Sequence, residues 1–316
     1  MAAHCYSAAT FQSAYHNIQS PLFRQAVTFE ESRVYTSPSL RRVILVVADG
    51  MRPDSIETFD LQCIQRLMQQ GGFTLSATTV TPSVTAAAMT SLLTGVAPER
   101  HGIESDRFFL PRPRHDVRPL PKVLAEAGIP TTAFMRGIPR PFHLLAKRLT
   151  HRLGITYATF AGQGAKEILA AFDGCEPSPD RGLTIMHWPD LDQAGHQSGW
   201  MSDEYGDAAR TVDQAVGALA ASTDIANDGE TLLILMADHG GGGLHANRHD
   251  SAHPLDRTIP IVLAGGAVSA TELRPRSSIL DVPATILWAI GVPDPDSYAG
   301  RPYFEAFERT PQLATV

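Results

Sequence analysis

Cysteine is scarce: the 316-residue chain has three, Cys5, Cys63 and Cys175, far apart and never in a C-x-x-C pair. That spacing excludes a disulfide framework and a thiolate metal site, and it suits a reducing compartment. Long apolar runs are missing as well. No stretch approaches the ~20 apolar residues that a membrane span requires, and the opening MAAHCYSAATFQSAYHNIQS has no basic leader followed by an apolar segment. The expectation is therefore a cytoplasmic, soluble protein with no membrane partner. Nor is there a surplus of positive charge: 26 Lys and Arg against 33 Asp and Glu leave a net charge of −7. A nucleic-acid polymer is thereby excluded as an extended partner, because backbone binding needs a clustered basic face. A small anionic substrate stays open.

Internal repeats, low-complexity tracts and convincing linkers are absent too, so one domain over residues 39–316 is the simplest organisation, with 1–38 as an N-terminal extension. What is present is alternation. RRVILVVADG (41–50), LTIMHW (183–188) and TLLILMADHG (231–240) are continuous apolar runs of the kind buried on both faces of a parallel sheet, and IPIVLAGG (259–266) is another strand. Between them lie helical patterns. Ser202 caps SDEYGDAARTVDQAVGALAAS, whose Val212, Ala215, Val216, Leu219 and Ala220 make one stripe, and DVPATILWAIG (281–291) is a helix stopped by Gly291. Strands alternating with helices predict an α/β fold, a doubly wound, mostly parallel sheet with helices on both faces. Sites in such sheets form beyond the carboxyl ends of the strands, where Asp49, Asp192, Asp238 and His239 all fall.

Four constellations carry chemistry. Asp49 ends VILVVA and is either a helix N-cap or a carboxylate that something positive must meet. In DLDQAGHQSG, Asp192 and His196 stand four apart, either in a loop or on one side of a helical turn where they could share an ion; Gly195 allows a close backbone approach. Asp238 and His239 end a strand and can reach one ion only if Gly240 to Gly243 turn the chain. Carboxylate and imidazole without thiolate suit zinc, or manganese. The same run, MADHGGGGLHANRHDSAHPLD, holds His245, His249 and His253 as well, and at this level any of them could be a ligand. In TVTPSVTAAAMTSLLTGVAPERHGI (79–103), Thr81, Ser83 and Thr85 precede a helix and either cap it or place a hydroxyl beside an ion, which would make it a nucleophile at neutral pH.

Taken in order, these constellations resemble the alkaline phosphatase superfamily, and within it the type I phosphodiesterase and nucleotide pyrophosphatase branch. The likeness runs over residues 40–305 and includes the closing DVPATILWAIGVPDPDSYAGRPY, similar to the family's C-terminal helix and tail. It implies two divalent ions, Zn2+ or alternatively Mn2+, and hydrolysis of phosphate esters, diester or monoester, through a phosphothreonine. The family's nucleophile sits nine residues before the Thr of a T-G pair, here Thr94-Gly95, which selects Thr85. One ion would be held by Asp49, Asp238, His239 and the Thr85 oxygen. The other would be held by Asp192, His196 and a histidine eleven residues before the proline of Thr258-Ile259-Pro260, which is His249. His245 and His253 are then loop histidines, with His253 a candidate substrate contact.

The chain departs from the family where relatives often carry an Asn three residues after the nucleophile; Ala88 stands here. Transition-state charge must then be met by the ions, by the N–H groups of Thr85 and Ala86, or by Arg136 or Arg140. These arginines belong to the one basic stretch, RGIPRPFHLLAKRLTHRLG (136–154), where Leu145, Ala146, Leu149 and Leu153 form the stripe of a core-facing helix and Arg136, Arg140 or Lys147 could cap the substrate. A phosphonate hydrolase of the same superfamily is the alternative activity, and a metal-binding scaffold without catalysis is the alternative from another class. Sulfatases are disfavoured because Thr85-Ala-Ala-Ala-Met lacks their C/S-x-P-x-R signature, and the cofactor-independent phosphoglycerate mutases because they use Ser and carry a large inserted domain.

Overall fold

The computed structural model describes residues 36–106, 117–175, 180–265 and 267–307. The compact unit that carries the sheet runs Ser37–Glu308. Of the expected extension 1–38, residues 1–35 lie outside the described residues. Eight strands follow one another along the chain: β1 (Arg42–Ala48), β2 (Gly72–Thr78), β3 (Thr131–Met135), β4 (Tyr157–Phe160), β5 (Gly182–Trp188), β6 (Thr231–Met236), β7 (Thr258–Ala264) and β8 (Thr271–Glu272). They form one sheet in the order β4-β3-β5-β1-β6-β7-β2-β8. Pairing is parallel except where β7 meets β6 and β2, so β7 alone runs against the rest.

The longer helices are α1 (Gln62–Gln70), α2 (Thr85–Thr94), α3 (Leu120–Glu126), α4 (His143–Arg152), α5 (Ala165–Asp173), α6 (Asp190–Ser198), α7 (Asp203–Ser222) and α8 (Asp281–Ile290). α1, α5 and α6 pack against α7, whereas α2, α3 and α8 pack on one another, as two layers flanking a sheet require. Ser202 caps α7 as expected, accepting from the Tyr205 N–H at 3.2 Å, and Gly291 ends α8 in the left-handed region. The central strands explain the apolar runs: every residue of β6 is buried, and all of β1 after Arg42. Each fully buried Val, Leu or Ile there contributes roughly 1.5–3 kcal/mol of transfer free energy.

The stripe expected to face the core in 136–154 does not do so. α4 has no buried residue, and Phe142, Leu144 and Leu145 are exposed. The helix packs beside β4, one of the two edge strands, which has no buried residue of its own and so offers it little cover.

Register fixes the site. Ala48 is level with Trp188, and Val47 is level with both His187 and Met236. The residues that follow these three strands, Asp49, Asp190–His196 and Asp238–His239, therefore leave the sheet at one edge.

Candidate metal centre

Asp49 caps no helix; its N–H continues the sheet by donating to the Trp188 carbonyl at 2.9 Å, and the next helical turn starts after Asp54. Its carboxyl is buried, and so is that of Asp238. Two buried carboxylates cost several kcal/mol each unless positive charge meets them. Burial pushes the Asp49 pKa well up, and the neighbouring Asp238 pushes it the same way. Asp238 moves oppositely. Burial alone would raise it, but His239 and His187 together with the Gly50 N–H hold it below the usual carboxylate range. In the metal-free protein Asp49 is thus the more readily protonated of the two.

Asp192 and His196 lie on α6, four apart, and the helix aims both side chains at one point: His196 Nε2 is 3.3 Å from Asp192 Oδ1. His249 arrives from the loop before β7, with Nε2 3.2 Å from His196 Nε2 and 3.6 Å from Asp192 Oδ1. A second set surrounds His239, whose Nε2 lies 3.2 Å from Asp49 Oδ1, 3.6 Å from Asp238 Oδ2 and 3.1 Å from Thr85 Oγ1. The rings of His239 and His249 stack at 3.8 Å, so the two sets are contiguous.

Each of the three imidazoles is oriented from behind. His239 Nδ1 donates to the Gly240 carbonyl at 2.8 Å, His249 Nδ1 to the Ser83 carbonyl at 2.7 Å and His196 Nδ1 to the Asn247 carbonyl at 3.0 Å. A carbonyl only accepts, so Nδ1 carries a proton and Nε2 is the atom turned inward, where it could serve as a ligand. Burial holds His249 below the ordinary histidine pKa, and the positive charge of His239 adds to this. His239 behaves differently: burial would lower it, but Asp238 and Asp49 push it up to about 10.

Cations fit this donor set. Asp49 Oδ1, Asp192 Oδ1 and Asp238 Oδ2 are buried without a hydrogen-bond partner, at a cost of about 1–3 kcal/mol each if they stayed so. Bonds of about 2.0–2.2 Å in a tetrahedron put neighbouring donors about 3.3–3.6 Å apart, close to the separations above. The sequence-predicted Asp49, Thr85, Asp192, His196, Asp238, His239 and His249 are all brought together. Among the described residues, no hydrogen bond or ion pair joins Arg136, Arg140 or His253 to them: Arg136 Nε donates to Gln163 Oε1, and His253 Nδ1 accepts from the Leu255 N–H. His245 is exposed.

The hydroxyls before α2 do not cap it. Val84 is the N-cap, and the Ser83 hydroxyl instead donates to the carbonyls of His249 and Ser251. Thr85 opens the helix, while the Ala86 N–H, expected as a donor to substrate, donates to Asp106 Oδ1 at 2.8 Å. Nothing in the local pattern signalled Asp106 or the bonds from Ser83 to the His249 and Ser251 carbonyls. His187 was visible only as an imidazole inside the run LTIMHW.

Gly195 acts through packing. A Cβ there would lie 2.6 Å from the Trp200 indole, which stands edge-on to His196 and donates Nε1–H to the Gly50 carbonyl at 2.9 Å. Gly195→Ala is expected to cost about 1–3 kcal/mol, lowering the melting temperature by about 2–4 °C per kcal/mol. An unchanged melting curve would show that Trp200 yields freely.

The family model for type I phosphodiesterase / nucleotide pyrophosphatase matches residues 43–284. Ectonucleotide pyrophosphatase/phosphodiesterase family member 1 of Rattus norvegicus is 26% identical over 222 residues, covering 62% of this chain and 24% of the relative. The chain thus spans about a quarter of the length of the curated relatives it matches. Murine ectonucleotide pyrophosphatase / phosphodiesterase 5, solved also as an inactive form in complex with AMP, superposes with a TM-score of 0.62 at 15% identity, covering 84% of this chain and, for the form without AMP, 100% of that one. Phosphonate monoester hydrolase from Silicibacter pomeroyi gives 0.62 at 14% identity, covering 83% and 75%. At these identities the structures share the fold.

Proposed function

The chain belongs to the type I phosphodiesterase / nucleotide pyrophosphatase family, and from that premise we propose that it is a divalent-metal-dependent phosphoric ester hydrolase with Thr85 as nucleophile. One observation carries the reading: the Thr85 hydroxyl, at the start of α2, stands 3.1 Å from His239 Nε2, inside the cluster of inward-turned imidazoles and unpartnered carboxylate oxygens. Asp49, Asp238 and His239 with Thr85 would hold one ion, and Asp192, His196 and His249 the other, Zn2+ or Mn2+. When bound, such ions supply Lewis-acid charge that lowers the pKa of a hydroxyl and neutralises a phosphoryl group.

Thr85 does the covalent work. The bond from its Oγ1 to phosphorus forms as the ester bond to the leaving alcohol breaks, and water later cleaves the phosphothreonine to free Thr85. The α2 N-terminus favours an anion here, and the Asp106 carboxylate on the Ala86 N–H occupies the position that a phosphoryl oxygen would take over. Ala88 offers no donor, so the backbone and bound charge must supply the oxyanion contacts. The substrate class is a small phosphate ester. Nucleotides are supported by the murine relative's complex with AMP, and the alternative of a phosphonate ester by the hydrolase neighbour. A cytoplasmic setting remains our proposal, supported by the free Cys63 and Cys175; among the described residues no helix is long and apolar enough to cross a membrane.

The test uses bis-p-nitrophenyl phosphate, p-nitrophenyl phosphate and p-nitrophenyl phenylphosphonate. Dialysis against a chelator is expected to reduce p-nitrophenol release to background, and zinc or manganese to restore it. Full activity without metal would refute the reading. Metal uptake with no release from any of the three would favour a scaffold that has lost catalysis.

A further inference from the structure

Tyr205, on the first turn of α7, carries a phenol with no solvent exposure, and burial pushes its pKa up, so the hydroxyl keeps its proton. It donates to the Gly50 carbonyl at 2.9 Å and accepts the Arg52 N–H at 3.0 Å. α7 supplies no member of either ligand set, yet this one oxygen fastens both sides of the turn that follows Asp49. The Gly50 carbonyl also takes the Trp200 Nε1–H at 2.9 Å, so both of its lone pairs are engaged by side chains outside the ligand sets.

What this turn holds in place is the ligand set at His239. Gly50 sends its N–H to Asp238 Oδ1 at 3.3 Å, and the His239 N–H reaches the same oxygen at 3.0 Å. With Oδ1 taken by two backbone donors, Oδ2 is the oxygen left unpartnered, 3.6 Å from His239 Nε2. The Arg52 guanidinium, buried and paired with Asp54, reaches the Gly241 carbonyl at 3.4 Å, two residues beyond His239. The segment after β1 and the segment after β6 are thus tied to each other through the residues that Tyr205 fastens.

We propose that Tyr205 is a positioning residue for the ion at His239: its hydroxyl holds the Gly50 peptide at the angle that presents Asp49 and Asp238 together. This rests on the reading of the two ligand sets as cation sites. The effect falls on one set, because His196 and His249 are oriented by the Asn247 and Ser83 carbonyls, which lie outside this turn. Losing a group that orients ligands from behind weakens metal binding by about 10–100-fold.

The experiment titrates the full-length protein with zinc in competition with a chromophoric chelator, for the wild type and Tyr205→Phe. The variant is expected to hold one of its two ions about 10–100-fold more weakly than the wild type, and the other within about threefold. Crystals of the variant equilibrated at the zinc level that half-fills the weaker ion should show a smaller anomalous peak at His239 than at His249. A role in folding alone would lower the melting temperature of the metal-free variant and leave both zinc affinities at wild-type values; that result overturns the proposal and leaves the cation sites standing. A wild type that binds no zinc overturns the cation sites, and the role of Tyr205 with them. If Tyr205→Phe does not fold, Trp200→Phe removes the other donor to the same carbonyl and must likewise weaken the ion at His239 by about tenfold or more. An unchanged affinity there overturns the proposal.

Discussion

Thr85→Ala is expected to lower kcat for either nitrophenyl ester by on the order of 10^4-fold to 10^6-fold, with bound metal unchanged. At 1.36 kcal/mol per factor of ten, that is roughly 5–8 kcal/mol of lost transition-state stabilisation. The size follows from the role: no other hydroxyl shares the 3.1 Å contact with His239 Nε2 among the described residues, so water would have to replace the covalent route. Metal content should hold because Asp49, Asp238 and His239 keep their positions, with His239 still tied to the Gly240 carbonyl. Thr85→Ser retains the hydroxyl and is expected within about tenfold of wild type, the usual scale for loss of a buried methyl group's packing. A Thr85→Ala protein that kept a tenth of wild-type activity would remove Thr85 from the nucleophile role.

The second large effect is on metal affinity. His239 is pushed up to about 10, against burial, by Asp238 and Asp49. In the metal-free protein it therefore carries a second proton at neutral pH, and an ion can bind only by displacing it. Apparent affinity should rise about tenfold per pH unit from pH 6.5 towards 10, hence on the order of a hundredfold between pH 6.5 and 8.5. Stability of the metal-free fold runs the other way. A histidine with a raised folded pKa contributes fully below its unfolded pKa and loses that contribution as pH climbs through the folded one; Asp49, raised by burial, adds repulsion in the same direction. The gap in melting temperature between zinc-loaded and metal-free protein should accordingly widen from pH 6.5 to 8.5. Calorimetric titration in buffers of different ionisation enthalpy should register released protons. A gap that stays flat with pH, and heats independent of buffer, would mean that His239 is already neutral.

Much of this arrangement was readable in the chain, for reasons that differ by residue. Asp49 and Asp238 stood out because a buried parallel strand is a continuous apolar run and any carboxylate at its end is conspicuous. Asp192 and His196 were a pair because a helix brings i and i+4 together. The direction of β7 was invisible: TIPIVLA, buried on both faces, reads the same whichever way its neighbours run. The exposure of α4 was invisible too, since an apolar stripe says which side of a helix could be covered and not whether anything covers it. Ser83 looked like a cap until the fold brought His249, 166 residues away, against it. Asp106 and His187 meet the Ala86 N–H and the Asp49 carboxylate only in the folded chain.

The bonds between Ser83 and His249 run both ways, Nδ1–H to one carbonyl and hydroxyl to the other. The stretch carrying Thr85 and the stretch carrying the last imidazole are therefore stitched at the root, and neither can drift without tearing both stitches. The bonds of Arg136 and His143, to Gln163 and to the Ile138 carbonyl, lie apart from this seam, so exchanges around 136–143 loosen neither anchor.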